Sequence, residues 1–204
     1  MMPTALRTSL LLLVFGSAGL AGWSGTALAF PLSDGADANH VVGQADFDTG
    51  FVDFELDPFF GAQPTSSSRF FVTSDVAYDT ANQRLFVADL HNHRFLMFEL
   101  GAGITGDIAA SLVLGQPDFV TGGTDPADPF GHFNTQNAAF GCTTEVNACG
   151  VHRAWGVAFS QGLLFGTDPD NNRVLVWDLA SPANGMAATY VLGQPDFSTN
   201  APNS

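Results

Sequence analysis

Few side chains in this sequence stand close enough together to do chemistry, and most of those sit on turns. His91 and His93 flank Asn92 just after Asp89, a spacing that two imidazoles could use on a zinc ion. A second stretch of the same pattern, Asp168 to Arg173, holds Asp170 and Asn172 at the corresponding positions, oxygen donors of the kind calcium takes. On spacing alone, polar turn residues are the simpler reading of both, and calcium or zinc the less favoured one. His132 and His152 have no acidic neighbour in sequence. The chain contains no G-x-S-x-G elbow, no H-E-x-x-H and no dinucleotide fingerprint, so no nucleophile can be set beside a base. No catalytic, cofactor or metal residue is assigned, and the balance leans away from an enzyme.

Cys142 and Cys149 are the only two cysteines. A metal site would need further ligands, and no histidine pair stands near them. In an oxidising compartment they are expected to bond to each other.

These groups have to be positioned by a repeat. VVGQADF at Val41–Phe47 returns as LVLGQPDF at Leu112–Phe119 and as YVLGQPDF at Tyr190–Phe197. LFVADLHNHRFLMF (Leu85–Phe98) returns as LFGTDPDNNRVLVW (Leu164–Trp177), and Val76-Ala77-Tyr78 as Val157-Ala158-Phe159. A repeat of this kind must bury its apolar face against a neighbour. Each unit holds four short apolar runs separated by turn residues: Asp75–Tyr78, Arg84–Ala88, Phe95–Glu99 and Ser111–Leu114, then Gly156–Phe159, Leu163–Gly166, Val174–Asp178 and Thr189–Leu192. Their length and their Val, Phe, Leu and Tyr content predict strands joined as hairpins. Asp89, Asn92 and Arg94 recur as Asp168, Asn171 and Arg173. Recurrence in both units makes them structural, with Asp and Asn closing the turn through nearby backbone and Arg forking onto the Asp or the adjacent unit.

The chain carries a formal net charge of −14 and no lysine. Such acidity disfavours nucleic acid and anionic lipid as partners. Without lysine there is no Walker-type phosphate loop and no Schiff-base or pyridoxal phosphate chemistry. Residues 1–29 read as a signal peptide: Arg7, an apolar run from Leu10, and Ala27-Leu28-Ala29 as the cleavage site. Cleavage after Ala29 would leave a secreted or periplasmic protein that does not insert in a membrane. Of the 19 phenylalanines, Phe47, Phe119 and Phe197 recur with the repeat and read as core. Phe51, Phe54, Phe59, Phe60, Phe130, Phe133 and Phe140 fall in loops, as caps or as a partner-binding patch.

The pattern L-F-x-x-D-x-x-N-x-R-V-L-x-W, preceded by Gly-Val-Ala, resembles the NHL repeat, a blade-forming motif of β-propellers. The first copy departs from it with Asp75 where the second has Gly156. The resemblance implies an all-β fold of four-stranded antiparallel blades. The segments are then 1–29 signal peptide, 30–70 outer strand and long loop, 71–119 first blade, 120–152 long loop with the cysteine pair, 153–197 second blade, and 198–204 the start of a third unit. Propellers of this family commonly act through loop surfaces, so the resemblance implies a binding or scaffold module for protein or glycan. Related propellers also include lactonases and a lyase that releases amidated peptides, which gather metal or charged residues at the central channel. A fragment with no independent activity is the remaining alternative. Since a ring needs about four or more blades, two copies lead one to expect a truncated frame or a homo-oligomer closing the ring in trans.

Overall fold

The computed structural model describes residues 38, 40–44, 66–101, 103–104, 108–121 and 138–202, all within the unit Ala38–Ser204. The proposed signal peptide, Phe47, His132 and the loop phenylalanines other than Phe140 lie outside the described residues.

The described chain is all-β and forms two four-stranded antiparallel sheets, each in simple chain order. The first comprises β1 (Thr73–Asp79), β2 (Arg84–Asp89), β3 (Arg94–Glu99) and β4 (Leu112–Leu114). The second comprises β5 (Val157–Ser160), β6 (Leu163–Asp168), β7 (Arg173–Asp178) and β8 (Tyr190–Leu192). Every strand lies within a residue or two of its expected bounds. The hairpins follow from local chemistry. Gln161 and Gly162 both take left-handed φ values, 51° and 82°, as a two-residue turn matched to strand twist requires. In the first sheet, Asp79 Oδ1 instead accepts the N–H groups of Ala81 and Asn82 and closes a longer turn.

A single-turn 3-10 segment links the two middle strands of each sheet, Leu90–Asn92 in one and Pro169–Asn171 in the other. Each ends on a left-handed residue, His93 at φ 54° and Asn172 at φ 52°. The registers correspond: Asp89 pairs with Arg94 across the first hairpin, and Asp168 with Arg173 across the second.

The sheets pack face to face. Phe86 stacks on Phe159 at 5.0 Å between ring centroids, and Phe95 meets Trp177 edge-on at 5.7 Å. Room for Phe95 comes from Gly166, where an added Cβ would stand 2.5 Å from the Phe95 ring. The corresponding residue in the first sheet is Val87, which faces away from this contact and packs with Leu96, Phe98 and Val113. Fully burying each such aromatic or aliphatic side chain contributes about 1.5–3 kcal/mol. β3 is buried from Arg94 to Phe98, because its sheet is covered on both sides. In β6 burial alternates although its first three residues, Leu163, Leu164 and Phe165, are all apolar.

Cys142 and Cys149 are disulfide-bonded. The loop they close is organised by Asn147, whose Oδ1 accepts the N–H groups of Cys149 and Gly150. No helix among the described residues is long and apolar enough to cross a membrane.

Candidate functional site

The two Asp-Asn-Arg sets occupy the same place in the two sheets and make the same bonds. Arg94 Nε donates to Asp89 Oδ2 at 2.8 Å, and Asn92 Nδ2 donates to the same oxygen at 2.8 Å. Arg173 and Asn171 reach Asp168 Oδ2 at 2.7 and 2.9 Å. Each Asp–Arg pair is shut off from solvent at 0 % side-chain exposure. The remaining guanidinium donors go to backbone carbonyls: Arg94 to those of Ser66, Arg69 and Phe119, and Arg173 to those of Gly150 and Phe197. Burial pushes both carboxyls above the usual range, against the opposing pull of the guanidinium, the asparagine amide and a backbone N–H.

One detail corrects the expectation from sequence. Neither aspartate caps its own turn through local backbone. Oδ1 of Asp89 instead accepts the N–H of Phe71, and Oδ1 of Asp168 that of His152, each at the chain entry to its sheet. The turn is closed by the left-handed residue's own N–H, from His93 to Leu90 O and from Asn172 to Pro169 O.

The GQxDF motif has a role the sequence did not show. The Gln116 amide donates to the carbonyls of Asn92 and His93, and Gln194 does the same to Asn172. Asp118 and Asp196 cap the turn that follows, and the Phe119 and Phe197 carbonyls receive the arginines. The motif straps the outer strand to the 3-10 turn. Asp75, the departure from the repeat, also acquires a purpose, because its Oδ2 accepts the Val157 N–H and ties the first sheet to the second.

What remains for function is where corresponding positions differ. In the first sheet Phe71 packs on His91 at 5.2 Å. In the second, the corresponding residues are His152 and Asp170, with Nδ1 and Oδ2 3.6 Å apart. Arg153 Nε also reaches Asp170 Oδ2 at 3.1 Å. Arg153 adopts a left-handed φ of 62°, and its N–H donates to His93 Nδ1. The His93 and His152 rings stack at 5.6 Å. His152 therefore does have an acidic partner, 18 residues away in sequence and invisible there.

His152, Arg153 and Asp170 face a cavity of about 430 Å³, lined also by Glu145 and Val146 from the disulfide loop, Asn171 from the second turn, and Asn200. The fold thus separates the sequence candidates. Asp89, Asn92, Arg94, Asp168 and Arg173 are buried in structural bonds, and Asn171 alone of the six also borders the cavity. His91 and His93 do not converge on a common point with an acid. Among the described residues no group of three His, Cys, Asp or Glu side chains is placed to hold a metal ion. Phe140 is exposed, whereas Phe119 and Phe197 pack against the two cores.

No known family model matches this chain, and no curated protein matches it.

Proposed function

We propose that this chain is an exported NHL-type β-propeller protein, its two sheets serving as blades, that acts as a non-catalytic binding or scaffold module with a glycan as the ligand at the second turn. The observation that carries the reading is the exchange of Phe71 and His91 for His152 and Asp170 at matching positions. The repeated residues are consumed in holding the sheets, and the unrepeated ones open onto a polar cavity. Carboxylates, side-chain amides and a guanidinium on its wall offer the mixed donors and acceptors that hydroxyl groups on a sugar ring require. Export supports the same reading, since it is implied by the first 29 residues and agrees with a bonded cysteine pair.

A glycan array probed with the wild type and with Asp170→Asn tests this. The wild type should bind a restricted set of glycans. The variant should lose that binding by tenfold or more, on the order of 1.4 kcal/mol, with an unchanged melting temperature. Absence of glycan binding, or binding indifferent to Asp170, would overturn the proposal.

A further inference from the structure

The two sheets meet through unlike faces. The first sheet offers Phe86, Phe95, Met97, Leu112 and Leu114, and the second answers with Val157, Phe159, Leu164, Leu175 and Trp177. Because the strands correspond residue by residue, each sheet also owns the face that the other uses. On the second sheet, Phe165, Val174, Val176, Tyr190 and Leu192 stand where the first has its five contact residues. Leu112 and Leu114 are 3 % and 1 % exposed, whereas Tyr190 and Leu192 are 55 % and 51 % exposed. The first sheet shows the converse only along β1, because Leu96 and Phe98, which stand where the second sheet has Leu175 and Trp177, are buried with Val42 and Phe70 packed against them. Val76 stands where the second sheet has Val157, and is 55 % exposed against 7 %. Tyr78, at the position of Phe159, is also exposed.

The second sheet's face, exposed along β8 although Val176 is buried, and the first sheet's face, exposed along β1 and covered at its centre with Val42 packed there, are therefore the two halves of a contact the molecule already makes once. A contact between unlike faces of identical molecules is heterologous and propagates head to tail. Apolar side chains at such positions mark an interaction surface.

We infer that the open face of the second sheet is the seat for the first sheet of a second copy of this chain, in the arrangement that joins the two sheets within one copy. The reading is independent of any ligand at the cavity. One rearrangement accompanies it. Val42 lies against the core of the first sheet beside Phe70, and Gly43 approaches Phe70 as Gly115 approaches Val151. Val41-Val42-Gly43-Gln44 thus fills the slot of a neighbouring sheet's outermost strand, and it matches Val191-Leu192-Gly193-Gln194 in sequence. On docking, the incoming β8 takes this slot and the N-terminal strap gives way.

Light scattering on size-separated full chain, over a dilution series, tests the inference. The mass should rise with concentration above the 21.4 kDa of one chain. Leu192→Asp and Val76→Asp alter exposed positions, so each should melt like the wild type and stay monomeric alone. Mixed in equal amounts, they should form a dimer and nothing larger, because each retains the face that the other has lost. Val42→Ser loosens the strap and should move association to lower concentration. A wild type that is monomeric at every concentration would overturn the inference. So would a mixture of the two variants that fails to pair, or a Val42→Ser variant that associates no better than the wild type.

Discussion

At the same point of two matching sheets, the molecule sets Phe71 against His91 and His152 against Asp170. Everything around these pairs agrees: the aspartate that receives the residue's N–H, the arginine that bonds that aspartate, and the left-handed residue that ends the turn. Within this shared frame the first pair is aromatic and closes on itself, while the second is polar and borders a cavity. A repeat unit can therefore be divided into residues fixed by the frame and residues free to vary upon it, and the proposed glycan site draws on the latter. The comparison also places the disulfide, because the loop it pins supplies Glu145 and Val146 to the cavity wall.

The frame is broken most severely at its arginines. Arg94→Ala and Arg173→Ala should each cost about 3–5 kcal/mol, since either leaves a fully buried carboxylate without its partner. Chemical denaturation of both variants measures this. Similar losses would keep the two sites equivalent, whereas an unchanged Arg173→Ala would remove the second from the frame. A smaller effect is expected from Cys142→Ser combined with Cys149→Ser. Opening so short a loop should cost about 2.5 kcal/mol at most. Hydrogen exchange should quicken around residues 142–150 while β2 and β3 keep their protection, and equal loosening of both sheets would contradict a role confined to the second turn. The smallest effect concerns pH. Burial, aided by the nearby Arg153 charge, lowers the His91 pKa below its ordinary 6.5. The folded state thus resists protonation that the unfolded state accepts, so this contribution to stability is present above about pH 6.5 and lost as pH falls through the depressed value. His91→Gln should flatten that dependence in melts between pH 7 and pH 5, and an unaltered slope would place its origin elsewhere.

Local features were legible in the sequence. Short apolar runs gave the strands, and the lone cysteine pair gave its bond. The recurrence of Asp, Asn and Arg pointed to side chains that bond to one another within each hairpin. The aspartates' long-range partners were hidden, because Phe71 and His152 come alongside only when the chain entering each sheet folds back against the 3-10 turn. Asp75 looked like an irregularity until the second sheet lay beside it, 82 residues later. The cavity was hidden for the same reason. Its walls come from a loop, a turn and the segment after β8, which no periodicity brings together.

The reach of Arg94 bears on how the chain acquires its structure. This guanidinium is satisfied only when residues 66–69, the hairpin at Asp89 and the segment at Phe119 have all arrived. Any partly assembled sheet therefore carries an unmet charge in a drying interior, an expensive state. The middle hairpin can form early, being local, but it gains full support only after loop closure across more than twenty residues on each side. Such an arrangement suppresses half-formed sheets, so each unit should mature in one concerted step late in folding, with few long-lived intermediates exposing strand edges to other chains.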